Sequence, residues 1–285
     1  MPAGRFAPSP TGPLHLGSLL AATASFLDAR ARNYLWRLRI DDLDVHRNQP
    51  GAEAEILHAL EAHDLLWDGP VLRQSQRLPA YQHALQQLRE QSFYCNCSRR
   101  LLAGQPVYPG TCRRYQQPRA DCALRVRVNE RPITFVDGVM GPQSVRLSDT
   151  LGDFIIRRRD GLIAYQLATA VDDGEDDIAH VVRGRDLLDN TARQIFLIEA
   201  LGLGVPAYAH VPTLVDANGQ KLSKQHGARP IESQRASQNI IQVLAALGFT
   251  VPPELRAETC SNLLDWATAQ WQLGQIPRRD VVVET

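Results

Sequence analysis

The stretch Arg5-Phe-Ala-Pro-Ser-Pro-Thr-Gly-Pro-Leu-His-Leu-Gly-Ser18 constrains this chain more than any other. Its three prolines and two glycines set unusual backbone angles in a loop, after which Leu16, Leu19, Leu20, Ala24 and Leu27 begin an apolar period of helical spacing. The segment reads as a short strand, a stiffened loop and the start of a helix. A helix N-terminus offers unpaired N–H groups and the positive end of the helix dipole, and Gly17 lets a ligand approach the backbone. Phosphate is the natural guest, and His15, expected one turn before the helix, is placed to donate to one of its oxygens. Taken alone, a loop histidine serves equally well as polar surface.

After the helix, Tyr34-Leu-Trp-Arg-Leu-Arg-Ile40 alternates and carries aromatic residues as a strand does. Strand, helix, strand is the start of a doubly wound α/β sheet, whose ligands sit at the carboxyl ends of strands. Asp41, Asp42 and Asp44 crowd the second strand end, where acids bind a cation or an amine, or cap the next turn. Arg183 follows the apolar stretch Asp177-Ile-Ala-His-Val-Val, and Arg5 stands at the corresponding end of the first strand. A guanidinium there suits bidentate recognition of a carboxylate. Lysine plus arginine equals aspartate plus glutamate at 31 each, so no global positive field advertises nucleic acid, and RNA affinity must come from local patches. Lys221 and Lys224 are the only lysines, and both lie in Lys221-Leu-Ser-Lys-Gln225.

The run FAPSPTGPLHLG resembles the first signature of class I aminoacyl-tRNA synthetases, in the glutamyl and glutaminyl branch, with HLGS in place of the HIGH tetrapeptide. Lys221 to Gln225 resembles the KMSKS loop. With RIDDLD at 39–44, VDD at 171–173 and RGRDLL at 183–188, the resemblance covers roughly the first four fifths of the chain. It implies an α/β fold: a doubly wound Rossmann-type class I synthetase catalytic domain with a zinc-containing insertion and a short C-terminal helical region. It also implies that ATP is bound by Pro8, His15, Gly17, Ser18 and Lys224. His15, Lys221 and Lys224 would carry catalysis by holding phosphates and the leaving pyrophosphate, with Mg2+ accompanying ATP. Glutamate would be bound by Arg5, Ala7, Ser9, Asp41, Tyr165 and Arg183. The family pattern RIEDTD has Glu where this chain has Asp41, about one methylene shorter, so a water-bridged amine contact is expected. Ser18 stands in place of the final His of HIGH, a His that glutamyl-branch sequences often lack.

Cys95-Asn-Cys97, Tyr108-Pro-Gly-Thr and Cys112 suit a tetrahedral zinc site, or three reduced structural cysteines. No histidine lies between 84 and 179 to complete the set. The queuosine-directed branch of the family has a tyrosine four residues before the last cysteine, which implies Tyr108 as fourth ligand, with water or Cys122 as alternatives. Residues 122–159 read as β-rich. The expected divisions are 1–92 and 165–226 for the two halves of the nucleotide fold, 93–164 for the insertion and 227–285 for the helical region. Arg99, Arg100, Arg113, Arg114, Arg119 and Arg157 to Arg159 contact RNA phosphates or form a solvated face. His58, His63 and His83 lie on helical patterns at 51–66 and 75–91 without an evident partner and read as surface or packing residues.

With 44% apolar and 22% charged residues the chain is of ordinary globular composition, and no apolar run reaches the ~18 residues of a membrane span. The absence of a signal peptide points to the cytoplasm, and a monomer is expected. Beyond 226 only helical patterns at 233–247 and 259–272 remain, whereas a complete glutamyl-tRNA synthetase would continue into an anticodon-binding region. The resemblance therefore implies the queuosine-directed branch of shortened paralogues. Its members activate glutamate with ATP before any RNA is bound. They then attach it to queuosine in the anticodon stem-loop of aspartate tRNA. An ordinary glutamyl-tRNA synthetase core is the alternative. A nucleotidyltransferase would not need the glutamate set, and an RNA-binding relic would not need His15, Lys221 and Lys224.

Overall fold

The computed structural model describes residues 1–117, 121–175, 177–222 and 229–283. β1 (Ala3–Phe6), α1 (Leu16–Ala31) and β2 (Leu35–Ile40) open the chain, with the two strands parallel and Arg5 beside Arg37. α2 (Ala52–Ala62), β3 (Leu72–Arg73) and α3 (Leu78–Gln87) follow, and β3 adds to β2 at the sheet edge. Next come β4 (Ser92–Cys95), β5 (Ala123–Val126), β6 (Ile133–Asp137), β7 (Gly141–Val145), α4 (Leu147–Thr150) and β8 (Phe154–Arg157). The doubly wound pattern then resumes with α5 (Tyr165–Glu175), β9 (Ile178–Gly184), α6 (Leu188–Ala200), β10 (Ala207–Val211) and β11 (Leu214–Val215). α7 (Ala236–Ala246), α8 (Cys260–Ala269) and β12 (Val281–Val282) complete the described chain, β12 pairing with β11.

The main sheet has the order β3-β2-β1-β9-β10-β6-β7, parallel throughout except for the β6–β7 hairpin. Alternation along the strands sends Phe6, Trp36, Leu38, Val182 and Ala209 into a core under α1, α7 and α8. It sends Ala3, Val181 and Tyr208 into a second core under α3, α5 and α6. A Cβ on Gly4 would stand 3.2 Å from the Cβ of Ala29, a measure of how closely α1 lies on β1. Both faces of the parallel sheet are thus covered, which leaves strand ends as the place for a ligand.

β4, β5 and β8 form a separate three-stranded antiparallel sheet. The β6–β7 hairpin, although it falls within 93–164, extends the main sheet beyond β10 instead. Period-two alternation identifies a strand but not which sheet edge it joins. His63 has partners that its sequence context did not reveal. It is fully buried, with Nδ1 2.6 Å from the Ala59 carbonyl and Nε2 3.0 Å from the Asn239 amide nitrogen, so it ties α2 to α7. No helix among the described residues is long and apolar enough to cross a membrane.

Candidate active site

His15 is the N-cap of α1 itself, not a residue one turn ahead of it. Its Nδ1 accepts the Ser18 backbone N–H at 3.3 Å, while Ser18 Oγ accepts the His15 backbone N–H at 2.9 Å. This reciprocal capping box satisfies two otherwise unpaired donors. It also gives Ser18 a physical role at the position of the final signature residue. With Nδ1 used as acceptor, a neutral His15 ring carries its proton on Nε2 and is a donor there. A Cβ on Gly17 would come within 3.1 Å of the His15 ring and 3.4 Å of the Leu222 carbonyl, so the small residue allows Leu222 to lie against the signature loop.

A cavity of about 340 Å³ is lined by Arg5, Ala7, Pro8, Ser9, His15, Gly17, Ser18, Tyr165, Arg183 and Lys221. A smaller one of about 150 Å³ is lined by Asp41 and shares Ser9, Arg47 and Tyr165 with the first. Apart from Lys224, which lies outside the described residues, every ATP and glutamate candidate from the sequence borders one of these cavities. Lys221 donates to Asp186 Oδ2 at 2.6 Å, and Asp186 also lines the larger cavity. Two lining residues are not singled out by the sequence: Asp186 stands out only as part of RGRDLL, and Arg47 sits in an unpatterned stretch. Arg47 is exposed, borders both cavities and has no ion-pair partner among the described residues.

The two strand-end arginines prove electrostatically unlike. Arg5 donates through Nε and Nη2 to the two carboxylate oxygens of Asp173, at 3.2 and 3.0 Å. Arg39 donates to the same carboxylate at 2.6 Å and to Asp41 at 2.6 Å. Burial opposes the Asp173 charge, but Arg5 and Arg39 overcome it and hold the carboxyl well below its usual range. Neighbouring Asp172 accepts from Gln74, Arg77 and Tyr81. Asp41 goes the other way. Burial pushes it up to about 6, with Arg39 offsetting only part of the cost, so a cation arriving beside it is favoured.

Arg183 is 4% exposed and has no carboxylate partner among the described residues. Its Nε donates to His210 Nε2 at 3.0 Å and its Nη2 to Thr191 Oγ1 at 2.9 Å, while Nη1 is buried without a partner. A guanidinium stays protonated even when burial lowers its pKa, as it does here. The cavity therefore borders one buried cation that is already neutralised and one that is not. An anion is the natural complement of the second.

At the end of β4 and in the loop that follows it, Cys95, Cys97 and Cys112 place their sulfur atoms within 4.8 Å of one another. The Tyr108 hydroxyl lies 3.5 Å from Cys95 Sγ and 4.0 Å from Cys97 Sγ, and accepts the Cys112 backbone N–H at 2.9 Å. Burial opposes ionisation of Cys95, but the Tyr108 hydrogen bond and nearby Arg125 bring its thiol down to about 7. Burial and the adjacent Cys112 and Cys95 sulfurs push Cys97 up to about 11. Cys122 is buried outside this group. Of the arginines expected either to contact RNA or to form a solvated face, Arg113 is held by both oxygens of Asp153, Arg158 by Asp44 and Asp160, and Arg159 by the carbonyls of Asn96 and Cys97. Arg99 and Arg100 are exposed, and Arg119 lies outside the described residues.

Comparison with known proteins identifies the family. The family model described as tRNA synthetases class I (E and Q), catalytic domain, matches residues 3–104 and 109–262. A glutamyl-Q tRNA(Asp) synthetase from Methylococcus capsulatus is 50% identical over 279 residues, 96% of this chain and 92% of that protein. Another from Pseudomonas aeruginosa is 47% identical, over 96% of this chain and 95% of its own length. Among solved structures, a glutamate tRNA ligase from Elizabethkingia meningosepticum, in complex with its amino acid, shares the fold with a TM-score of 0.82. The two are 24% identical, over 99% of this chain and 67% of that one. With the signature loop, Lys221 and the strand-end arginines gathered at one cavity, the chain belongs to the class I tRNA synthetases of the glutamyl and glutaminyl family.

Proposed function

We propose that this protein is a ligase that activates glutamate with ATP, without needing RNA for that step, and transfers it to queuosine at the wobble position of aspartate tRNA. The observation that carries this reading is a pair of adjoining cavities. Phosphate-binding groups at the α1 N-terminus and an uncompensated buried cation at Arg183 border the larger, an amine-seeking acid at Asp41 borders the smaller, and Ser9, Arg47 and Tyr165 line both. An α-carboxylate oxygen of glutamate attacks the α-phosphorus of ATP, and pyrophosphate leaves. A hydroxyl of the queuosine cyclopentene-diol then attacks the acyl carbon, and AMP leaves. No side-chain nucleophile is required, so catalysis is positioning and electrostatic stabilisation. His15 and the α1 amides hold phosphates, Lys221 and Lys224 draw the pyrophosphate, and Mg2+ enters with ATP. Arg183 takes one glutamate carboxylate, Asp41 takes the amine, and Arg5, Ala7, Ser9 and Tyr165 shape the rest of the site.

Relatives of nearly matching length that carry the glutamyl-Q name favour this reading over an ordinary glutamyl-tRNA synthetase core. We assign the activity to a cytoplasmic monomer made of the two nucleotide-fold halves at 1–92 and 165–226, the insertion at 93–164 and the helical region at 227–285. Incubation with labelled glutamate and ATP is expected to give ATP–pyrophosphate exchange in the absence of RNA. With aspartate tRNA the label should enter the queuosine-containing form and stay there after the terminal adenosine is trimmed. Label lost on trimming, or equal labelling of tRNA lacking queuosine, would return the protein to the ordinary synthetase reading.

The cysteine group fits a structural zinc ion held by Cys95, Cys97 and Cys112, with Tyr108 as fourth ligand. The cation would relieve the mutual repulsion that keeps Cys97 protonated. Protein purified without chelator is expected to contain about one zinc per chain by elemental analysis. Chelation should loosen residues 93–117 before it slows adenylation. Metal-free protein with an intact fold would rule the site out.

A further inference from the structure

Asp137, His210 and Arg183 belong to three neighbouring strands of the main sheet: β6, β10 and β9. His210 and Arg183 are direct register partners, so their side chains leave the sheet on the same face. Asp137 Oδ1 accepts the backbone N–H groups of Val139, Met140 and His210, at 3.0, 2.8 and 3.1 Å. That leaves Oδ2 for His210 Nδ1, at 2.5 Å. On the far side of the ring, Nε2 lies 3.0 Å from Arg183 Nε, which is always a donor. The ring is therefore neutral, with its proton on Nδ1 and its lone pair on Nε2.

Other groups facing the ring are consistent with that state. Thr191 of α6 accepts Arg183 Nη2 and keeps its hydroxyl 3.2 Å from His210 Nε2. Tyr208 of β10 stacks parallel to the imidazole at 6.3 Å, and Arg5 of β1 adds a further positive charge in the vicinity. Burial, together with the Arg183 cation, outweighs the Asp137 carboxylate and holds His210 below its ordinary value. His210 and Asp137 are both fully buried, and neither lines the cavity.

We infer that Asp137 and His210 are positioning residues that fix the Arg183 guanidinium for the incoming glutamate carboxylate, by dictating which ring nitrogen of His210 carries the proton. The two fixed donors, Nε and Nη2, leave Nη1 as the nitrogen without a protein partner. One edge of the guanidinium is anchored to His210 on the sheet and Thr191 on α6, and the remainder is reserved for ligand. The hairpin β6–β7 acquires a function in this arrangement, because it delivers the carboxylate that sets the tautomer two strands away from the arginine. The inference rests on Arg183 being a glutamate carboxylate ligand.

Asp137→Asn tests it with little change of shape. An amide that donates to Nδ1 would force the ring proton onto Nε2, where it would confront the Arg183 Nε–H. The expected result is a 15N spectrum in which the His210 proton moves from Nδ1 to Nε2, together with glutamate binding weakened about 10–100-fold by calorimetry. A companion pair guards against a simple folding defect. His210→Gln can keep an acceptor toward Arg183 and should stay within about 3-fold of the unmodified protein, while His210→Asn cannot and should lose at least about 10-fold, at matched melting temperatures. Equal affinities for the Gln and Asn variants, or unchanged affinity once the tautomer has flipped, would overturn the relay. So would an Asp137→Asn protein whose proton stays on Nδ1. If Arg183→Ala itself left glutamate affinity unchanged, the assignment of Arg183 would fall instead.

Discussion

Asp173→Asn is expected to lower the unfolding free energy by about 3–5 kcal/mol, on the order of 10 °C in melting temperature, although it removes no volume from the core. Asp173 is 2% exposed and compensates two buried guanidinium groups at once, Arg5 and Arg39. Once neutral, it leaves Arg5 without its carboxylate partner and Arg39 with only Asp41 and, at 3.5 Å, Asp172. The folded-state pKa of Asp173 is depressed, so the stability it contributes is fully present above the unfolded value near 3.8 and is lost as the pH falls through the folded value. The variant should consequently show a shallower loss of stability in strong acid than the unmodified protein. Urea unfolding at neutral pH reads the main effect, and a loss below about 1 kcal/mol would mean that the network carries little net energy.

Arg183→Ala should behave in the opposite sense. Its guanidinium is buried with no carboxylate to neutralise it, so its removal relieves an uncompensated charge while freeing His210 and Thr191 of a partner. The net change in stability is expected to stay within about 1 kcal/mol. Glutamate binding, in contrast, should weaken by about 2–4 kcal/mol, a factor of about 30–1,000, since the ligand carboxylate would enter a buried site with no counter-ion. Calorimetry with glutamate alone, beside a thermal melt of the same sample, separates the two quantities. A protein that melts far lower but binds glutamate normally would make Arg183 a structural residue. The contrast between the two substitutions expresses a general trade: a functional cation is kept uncompensated at some cost to the fold.

Much of this site was legible in the chain. Pro and Gly in the opening loop, followed by the apolar period from Leu16, announce a loop feeding a helix N-terminus because those signals are local. The same holds for α7 and α8, whose apolar spacing located them, and for the cysteine group, where Cys95 and Cys97 are neighbours and Cys112 closes a short loop. The finer geometry of the cap was less visible. Nothing local distinguishes a His15 placed one turn before the helix from one that caps it, and only the return of Ser18 Oγ to the His15 N–H decides.

By itself the sequence determined that Arg5 and Arg183 stand at the ends of parallel strands, because hydrophobic alternation and turn residues act over a few positions. Only the tertiary structure decided that one is neutralised and the other is not. Asp173 lies 168 residues from Arg5 and reaches it because α5 crosses that face of the sheet. Asp137 and His210, 73 residues apart, come together because the β6–β7 hairpin joins the edge of β10 and not the small sheet built by its own neighbours in the chain. Electrostatic compensation depends on distance in space across a medium of low dielectric. It therefore remained invisible until the strand order was known.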